Sequence, residues 1–354
     1  MAILLIVLWF SLLLGQLGGI PLGDGVRLYA QDIVLSALVL VSAVRHGLIR
    51  KLPTFRLFLP IALFTFAGVL SLGSNFSTGF LYLVRWVAYA FLYAVVLVSP
   101  LSVRFWLWWL ASFGVALGTI GLVQFVWYPD LRNLWYLGWD PHYCRVFATL
   151  LDPNYVGILL VLTIFILAFI FRSFRWQMGV IGVALLLTYS RSSYLALLTG
   201  VCVVIVSFKR WKEGLFLFLF FLLAIVYLPK AGGDTLSLDR YDSTISRIQN
   251  WNQTIARIGE RPVFGYGLGV TGIDSSLLYV GVTTGIVGFA SYLWLVLAQV
   301  RLALGSRDRY FKVLMLSSMS ALFVHSLFVN SLFYPWVMIW MWILAGVAEK
   351  YYLE

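Results

Sequence analysis

The chain has 354 residues, of which 62% are hydrophobic and only 11% are charged, and its mean hydropathy is +0.95. Soluble domains have about 45–50% apolar and 25% charged residues, so this composition excludes a soluble protein and indicates an integral membrane protein. The net charge of +11 does not indicate a nucleic-acid partner, because the basic residues lie between apolar segments rather than in one polar domain.

Long apolar segments recur along the whole chain, and about twelve of them approach the roughly 17–25 residues that cross a bilayer as a helix. The sequence therefore predicts an all-α polytopic membrane protein in which residues 1–354 form a single integral membrane domain. The predicted spans are residues 2–19, 29–46, 57–73, 79–98, 104–128, 155–172, 176–190, 192–208, 213–229, 276–300, 312–332 and 335–349. Asp152-Pro153-Asn154, just ahead of the sixth span, is typical of a helix start.

The loops that follow the even-numbered spans are basic. By the positive-inside rule we expect these loops and both chain termini in the cytoplasm. The other loops then face outward, and two of them, residues 129–154 and 230–275, are long. The basic residues behind this assignment are Arg45, Arg50, Lys51, Arg56, Arg104, Arg172, Arg175, Lys209, Arg210, Lys212, Arg301, Arg307, Arg309 and Lys312.

The second long external loop contains a polar stretch with an apolar stripe. Apolar residues recur in it at helical spacing, while polar residues fall on the opposite face, namely Arg247, Asn250, Thr254 and Arg257. This pattern predicts an amphipathic helix over residues 237–258 that lies flat on the membrane surface. The stripe consists of Ile245, Ile248, Trp251 or Asn252, Ile255 and Ile258.

Three glycines, Gly265, Gly267 and Gly269, follow this helix at alternate positions. Because glycine has no side chain, we expect the backbone N–H groups in this segment to approach a ligand closely. Asp274 then stands where the next span begins. It caps that helix together with Ser275 and Ser276, or accepts a proton in catalysis, or does both.

Arginines on the predicted external side need an explanation, because the orientation rule supplies none. Arg191 lies in the tight turn 188–193 between two short spans, where an unpaired charge is costly. Arg85 lies inside the fourth span and either snorkels to the headgroups or faces a substrate path. The external loops add Arg132, Arg145, Arg240, Arg247, Arg257 and Arg261, of which some are solvated charges balanced by nearby acids.

A cluster of guanidinium groups suits a diphosphate, because each one binds phosphate oxygens bidentately and stays charged. The membrane setting suggests a diphosphate with a lipid tail. The sequence contains no HExxH, G-x-S-x-G or P-loop motif and no cluster of cysteines and histidines, so we expect neither a metal nor another cofactor. His325, in the outer half of the eleventh span, either bonds a neighbouring helix or belongs to the site.

Four segments within about residues 130–290 resemble, in family order, the O-antigen ligase and O-antigen polymerase superfamily. Each motif alone is weakly specific, and the set is more specific. The segments are RVFATLLDPN at 145–154, LTYSRS at 187–192, Arg247-x-x-x-Trp251 with ERPxxGxG at 260–267, and DSSLL from Asp274 ahead of GIVG at 285–288.

The resemblance implies a metal-independent glycosyltransferase of the GT-C type at the outer face of the bacterial inner membrane. Its donor would be a glycan on undecaprenyl diphosphate. Ligases of the superfamily transfer that glycan to lipid A core. Polymerases transfer the growing chain to the next lipid-linked repeat unit of O-antigen or a related surface polysaccharide, and a flippase and a chain-length regulator would be further partners.

The resemblance also suggests roles for single residues. By position, Arg191 and Arg247 match the superfamily's diphosphate-binding arginines, and Arg145 matches its external arginine ahead of a Pro-Asn pair. Ligases carry an essential histidine where this chain has Asp274. The resemblance therefore favours a polymerase over a ligase.

A mechanism can be written from the chemistry of these residues. Arg191 and Arg247 neutralise the leaving diphosphate, with Arg145 and Arg85 as further ligands. Asp274 takes the proton of the attacking sugar hydroxyl, and a single displacement inverts the anomeric carbon. Secondary candidates are Asn154, Trp251, Arg257, Arg261, and the reserve bases Glu260 and His325.

A transporter is the alternative from another class, because about twelve spans with both ends inside are also typical of secondary carriers. A flippase for lipid-linked oligosaccharides would likewise need arginines for the diphosphate. Two features argue against this class: the halves show no evident repeat, and the polar residues gather in external loops rather than at the midplane. A glycosyltransferase is therefore favoured.

Overall fold

The computed structural model describes residues 1–23, 26–74, 76–171, 175–212, 219, 223 and 241–353, and it is mostly helical. The α-helices of the described part are α1 (Ala2–Leu14), α2 (Ala30–His46), α3 (Leu48–Lys51), α4 (Phe58–Leu70), α5 (Phe76–Val98), α6 (Val103–Trp127), α7 (Pro153–Phe171), α8 (Trp176–Leu186), α9 (Arg191–Phe208), α10 (Tyr241–Glu260), α11 (Ser276–Gly305), α12 (Arg309–Ser326) and α13 (Pro335–Leu353). Two strands, β1 (Gly19–Gly23) and β2 (Val26–Tyr29), lie between α1 and α2. Short 3₁₀ helices occur at Gly15–Gly18, Leu52–Thr54, Ser71–Ser74, Arg132–Leu137 and Ala148–Leu150.

Five of these helices are long and apolar enough to cross a membrane, namely α5, α6, α7, α9 and α11. Shorter apolar helices accompany them, among them α1, α4 and α8. This arrangement agrees with the prediction of a polytopic, mostly helical membrane protein. Of the predicted span 213–229, all but residues 219 and 223 lie outside the described residues.

The core is centred on α13, which packs chiefly against α5. Trp336, Trp340 and Trp342 on α13 are all almost completely buried. The rings of Trp342 and of Trp86 on α5 meet edge to face, with their centroids 5.8 Å apart. A helix with apolar residues on every face is one that other helices enclose, and α13 therefore lies inside the helical assembly.

The segment between α1 and α2 is a β-hairpin that the all-α prediction did not include, because β1 pairs antiparallel with β2. The predicted first span, 2–19, ends earlier as well, since α1 stops at Leu14. Gly15 turns the chain with φ 59°, and a Cβ there would lie only 2.2 Å from the Thr149 carbonyl oxygen. The glycines and the proline of β1 disfavour a helix, so the segment pairs as strands instead.

α10 confirms the helix predicted over residues 237–258, with its start at Tyr241 and its end at Glu260. Residues 237–240 lie outside the described part of the chain. Isoleucines of the predicted apolar stripe are exposed on α10, as a helix that meets lipid headgroups requires. They are Ile245, Ile248 and Ile255. The flat orientation of α10 on the membrane stays a prediction.

α11 is broken at Gly285, whose backbone angles of φ 61° and ψ −162° are not helical. A break inside a helix leaves backbone groups without their usual partners, and they must be satisfied elsewhere in the protein. The loop after α10 supplies partners, since the N–H of Ile286 donates to the Pro262 carbonyl at 2.8 Å. The loop and the broken helix therefore form one hydrogen-bonded unit.

The N–H groups of the three glycines after α10 also bind the protein itself, so the prediction that they approach a ligand is wrong. The acceptors are the Arg261 carbonyl for Gly265 (3.2 Å), the Thr283 carbonyl for Gly267 (2.8 Å) and the Tyr279 hydroxyl for Gly269 (3.0 Å). Gly265 is required for another reason: a Cβ at this position would lie 2.5 Å from the carbonyl carbon of Thr283 in the α11 backbone.

Candidate active site

Four charged residues from separate parts of the chain come together in the fold. Arg247 lies on α10, Asp274 lies ahead of α11, Arg191 is the first residue of α9, and Asp152 lies ahead of α7. Asp274, Arg191 and Asp152 all exert a Coulombic effect on Arg247. We call Asp152, Arg191, Arg247 and Asp274 the charged cluster. The sequence predicted three of its members as site residues and interpreted Asp152 only as a helix start.

Burial sets the electrostatics of the charged cluster. It lowers the pKa of the Arg247 guanidinium, an effect that Asp274 opposes and Arg191 reinforces. Burial also raises the pKa of the Asp274 carboxyl, although the charge of Arg247 lowers it. A carboxylate with a raised pKa is a stronger base, so Asp274 is better suited to accept a proton than an ordinary surface aspartate.

Asn250, three residues after Arg247, ties α10 to the segment ahead of α11. Its side-chain nitrogen donates to the Gly272 carbonyl, and its side-chain oxygen accepts the backbone N–H of Asp274 at 3.4 Å. Residues three apart share a face of a helix, so this bridge sets Arg247 beside Asp274. The sequence showed Asn250 on the polar face of the predicted helix, and nothing in the pattern assigned it a partner.

Asp274 does not cap α11, so the capping interpretation of this residue is wrong and its role as a base stays a prediction. The N-cap of α11 is Ser275, which makes no side-chain cap bond and donates instead to the Ser326 carbonyl at 3.3 Å. Ser276 donates to the Val329 carbonyl at 3.4 Å. Within the described residues the Asp274 carboxylate is therefore not engaged in holding the helix start.

The start of α7 is confirmed where the sequence predicted it. The Asp152 carboxylate accepts the backbone N–H of Asn154 at 2.7 Å and so caps the helix. The side chain of Asn154 in turn accepts the Ser190 hydroxyl at 2.9 Å, and Ser190 is the N-cap of α9. Asn154 thus joins the starts of α7 and α9, the two helices that bring Asp152 and Arg191 into the charged cluster.

His325 is completely buried and links helices, which favours the helix-bonding interpretation over its role as a reserve base. Its Nε2 lies 3.3 Å from the Ser193 hydroxyl on α9, and its Nδ1 lies 2.6 Å from the Ser331 hydroxyl. The Ser193 hydroxyl also lies 2.9 Å from that of Ser190. The His325 ring therefore stabilises the start of α9 through its contact with Ser193.

Arg145 is also buried, with 3% of its surface exposed. Its guanidinium donates to the carbonyls of Thr188 and Tyr189, at 2.9 and 3.3 Å. These two residues form the turn between α8 and α9, and Tyr189 has a left-handed backbone with φ 50°. Arg145 therefore holds the turn that leads into Arg191.

Arg191 is the first residue of α9 rather than the tip of a hairpin turn. Its N-cap, Ser190, accepts the backbone N–H of Ser193. A helix N-terminus carries partial positive charge on its free N–H groups, so it attracts anions even without a basic side chain. The side chain of Arg191 adds a full positive charge at the same point.

Arg85 has a carboxylate partner that the sequence interpretation missed. It donates to Asp32 on α2 at 2.8 Å, and Asp32 also accepts the Tyr89 hydroxyl at 2.7 Å and the Tyr29 N–H at 2.9 Å. Asp32 is an acid inside the predicted span 29–46, and an intramembrane charge of this kind is itself a signal that a partner exists. The pair satisfies the charge of Arg85 within the helical assembly.

Glu260, Arg257 and Arg261 form a separate group around Tyr266. Glu260 accepts the Tyr266 hydroxyl. The guanidinium groups of Arg257 and Arg261 lie 5.3 and 4.6 Å from the centre of the Tyr266 ring. These predicted secondary residues therefore all contact Tyr266 at the end of α10.

Trp251 stands on α10 one residue beyond Asn250, and its ring centroid lies 6.1 Å from that of Phe328. Its indole N–H is buried and has no hydrogen-bond partner among the described residues. A buried donor of this kind is usually satisfied by water or by a ligand. Trp251 thus presents a donor beside the charged cluster.

The charged cluster can bind an anion and can accept a proton. Arg191 and Arg247 supply guanidinium forks that match phosphate oxygens, and Asp274 supplies the base. In the part of the chain that the structure describes, no three His, Cys, Asp or Glu side chains are grouped so that they could hold a metal ion. The chemistry that these residues themselves offer is charge neutralisation and proton transfer.

Comparison with known proteins relates this site to a family. Residues 176–293 match the model of the family described as O-Antigen ligase. The matched segment runs from the start of α8 into α11 and contains Arg191, Arg247 and Asp274. No curated protein matches the chain. The family match indicates a function of the O-antigen ligase or polymerase type. Residues 176–293 of the chain therefore form a domain of the O-antigen ligase and polymerase superfamily.

Proposed function

We propose that this protein is a polysaccharide polymerase of the inner membrane of bacteria. It transfers a growing glycan from undecaprenyl diphosphate to the next lipid-linked repeat unit, of O-antigen or a related surface polysaccharide. The reaction takes place at the outer face of the membrane, without a metal or other cofactor. A flippase that delivers the repeat units and a chain-length regulator are its expected partners.

The observation that carries this proposal is the charged cluster, which sets two arginines beside one carboxylate with a raised pKa. A diphosphate becomes a good leaving group once its charge is neutralised, so the reaction needs cations on the phosphates. It also needs a base for the incoming hydroxyl. Arg191 and Arg247 meet the first need and Asp274 meets the second.

The transfer is a single displacement. The acceptor hydroxyl gives its proton to the Asp274 carboxylate as its oxygen forms a bond to the anomeric carbon of the donor. The bond between that carbon and the phosphate oxygen breaks at the same time, and its electron pair leaves with undecaprenyl diphosphate, which Arg191 and Arg247 hold. Attack on the face opposite the diphosphate inverts the anomeric configuration.

Other predicted site residues act by positioning. Arg145 supports the turn ahead of Arg191, and Asn154 joins the starts of the two helices that carry Asp152 and Arg191. The buried guanidinium of Arg145 is bonded to backbone carbonyls, so we assign it to the support of the site rather than to the diphosphate.

A ligase that transfers the glycan to lipid A core is the second candidate, because the matched family is described as O-Antigen ligase. Asp274 favours the polymerase, since by the resemblance ligases carry a histidine at this position. A flippase for lipid-linked oligosaccharides is the candidate from another class. It would need the arginines for the diphosphate but would not need Asp274 as a base.

The test uses the purified full-length protein in detergent with the lipid-linked repeat unit of the source cells, and it reads the length of the product on a gel. We expect a ladder of polymers that disappears for Arg191→Ala, Arg247→Ala and Asp274→Asn. Arg132→Ala is the matched control, because Arg132 is exposed and paired with Asp130 at 2.7 Å.

Other outcomes would contradict the polymerase. Transfer only when lipid A core is added would identify a ligase. A lack of transfer with either acceptor, combined with movement of the lipid-linked unit across reconstituted vesicles, would identify a flippase. A ladder that survives Asp274→Asn would remove Asp274 from the base role.

A further inference from the structure

A cavity of about 250 Å³ adjoins the charged cluster. Gly272 and Ile273 in its wall directly precede Asp274. Tyr155 also lines the cavity, and both Asp152 and Asp274 exert a Coulombic effect on it. Arg191 and Arg247 are not among the described residues that line the cavity. It therefore lies next to Asp274 but apart from the arginines assigned to the diphosphate.

The wall of the cavity combines aromatic rings with polar groups that carry little net charge. Arg85 is in the wall, but its charge is balanced by Asp32 at 2.8 Å. Thr271 and Asn330 contribute neutral polar groups. The aromatic rings belong to Tyr82, Trp86, Tyr155, Tyr279 and Phe333. This lining suits a neutral ligand with both apolar faces and hydroxyl groups, and it does not suit a phosphate.

Asn330 is an additional sign of a ligand. Its side-chain oxygen is buried and has no hydrogen-bond partner among the described residues. Buried polar groups in native proteins are nearly always paired, so an orphaned acceptor in a cavity wall marks a place where a ligand or a water molecule donates. A sugar hydroxyl supplies such a donor.

We propose that this cavity binds a sugar ring of the acceptor glycan and directs its hydroxyl to Asp274. This inference rests on the proposed function, because the donor diphosphate then occupies the arginines and the acceptor needs a separate place. The cavity is smaller than the roughly 300–1,000 Å³ of sites for drug-sized ligands, so it holds one sugar ring while the rest of the glycan extends outside. The half-buried ring of Tyr82 in the wall packs against the apolar face of the sugar, and Asn330 binds a hydroxyl.

The experiment measures glycan binding separately from transfer. The probe is the oligosaccharide released by mild acid from the lipid-linked repeat unit, titrated into the full-length protein in a calorimeter. We expect Asn330→Ala to raise the Kd at least tenfold, and Thr271→Trp, which fills the cavity, to abolish binding. Asn133→Ala is the matched control, because Asn133 is exposed on the 3₁₀ helix Arg132–Leu137, and the Kd of this variant should equal that of the wild type.

The inference is overturned if the wild type does not bind the oligosaccharide, or if correctly folded Asn330→Ala and Thr271→Trp bind it as well as the wild type. Thermal unfolding midpoints establish whether each variant is folded. In the transfer assay, Asn330→Ala should raise the KM for a soluble acceptor and leave the KM for the lipid-linked donor unchanged. A raised KM for the donor with an unchanged KM for the acceptor would assign the cavity to the donor and overturn the inference.

The proposed function can fail independently of this inference. Its own binding test uses undecaprenyl diphosphate, which should lose affinity for Arg247→Ala and keep it for Asn330→Ala. If undecaprenyl diphosphate does not bind and no transfer occurs, while the oligosaccharide still binds through Asn330, the cavity is a sugar site and the proposed function is wrong.

Discussion

The side-chain oxygen of Asn250 accepts the backbone N–H of Asp274 at 3.4 Å, and this bond joins α10 to the segment that carries the proposed base. Arg247 lies one turn before Asn250 on the same helix. The Asn250 side chain thus ties the helix that carries Arg247 to the segment that carries Asp274.

We expect Asn250→Ala to slow transfer by roughly 5- to 100-fold, because two hydrogen bonds of about 0.5–1.5 kcal/mol each are lost and Asp274 is no longer held beside Arg247. The loss should fall mainly on kcat, since a displaced base affects the transition state more than substrate binding. Asn252→Ala, at an exposed position on the same helix, is the control and should behave as the wild type. An equal loss for both variants would remove the positioning role of Asn250.

The activity should depend on pH through Asp274. Its base form is the carboxylate, so transfer should fall as the pH drops through the pKa of Asp274, which burial raises above the ordinary value of about 3.9. The acid limb of the kcat profile should therefore lie above that value. The same profile is measured on the residual activity of Asp274→Glu and Asp274→Asn. If its acid limb does not move in these variants, a group other than Asp274 causes the loss of activity at low pH.

Asp274 should also lower the stability of the protein. Its pKa is higher in the folded than in the unfolded chain, so the folded state binds the proton more tightly and loses stability as the pH rises through the folded pKa. We expect Asp274→Asn to raise the thermal unfolding midpoint at neutral pH, and the difference to vanish below the pKa of the carboxyl. A lower midpoint at neutral pH would indicate that the carboxylate has a structural role.

Arg145→Ala should destabilise the fold, because the carbonyls of Thr188 and Tyr189 lose their partner inside the protein. The loss of the arginine donor costs about 1–3 kcal/mol for each buried carbonyl, so we expect a total of about 2–6 kcal/mol, measured as a lower thermal midpoint. Arg145→Lys should restore little, since an ammonium lacks the fork that reaches both carbonyls. Arg132→Ala, at an exposed arginine, should leave the midpoint unchanged. A stable Arg145→Ala protein that fails only to bind undecaprenyl diphosphate would instead make Arg145 a ligand.

Gly265→Ala should disrupt the loop that fills the break in α11. Gly265 has φ 67°, and a Cβ would lie 2.5 Å from the carbonyl carbon of Thr283, so the variant suffers both backbone strain and collision. We expect a loss of about 2–4 kcal/mol, read as a lower thermal midpoint.

Gly259→Ala is the matched control for this loop, because Gly259 lies in α10 and a Cβ there would meet no atom within 4 Å apart from its chain neighbours and the backbone of its own helix. Alanine favours a helix over glycine by roughly 0.5–1 kcal/mol, so this change should be neutral or stabilising. Equal midpoints for the two variants would show that the loop does not depend on a small residue at position 265.

Much of the helical structure could be predicted from the sequence, because it depends on local patterns of residues. Apolar run lengths predicted the helical membrane protein, and the isoleucine stripe predicted α10 to within a few residues. The motif at 152–154 predicted the start of α7. The hairpin of β1 and β2 was missed, because its residues show neither alternation nor a helical period strong enough to distinguish it from the end of a span.

The roles of single polar residues were less predictable, because they depend on contacts across long stretches of the chain. The three glycines after α10 suggested a ligand, yet their N–H groups bind residues of the protein itself. In the sequence, Arg145 and Arg191 are both arginines on the predicted external side, and nothing distinguishes them. Only the hydrogen bonds of Arg145 to the carbonyls of Thr188 and Tyr189 show that Arg145 supports the turn and does not belong to the charged cluster.

The sequence by itself determined that this chain is a membrane protein and which residue types it can bring to a reaction, because hydrophobicity and side-chain chemistry are local properties. Only the tertiary structure decided that Arg191 and Asp274 lie close enough to Arg247 to act on its charge, that Asp32 neutralises Arg85, and that Asn330 lines a cavity beside the site. These relationships join residues far apart in the chain, and the free energy that holds them comes from packing and hydrogen bonds between helices that no local pattern encodes.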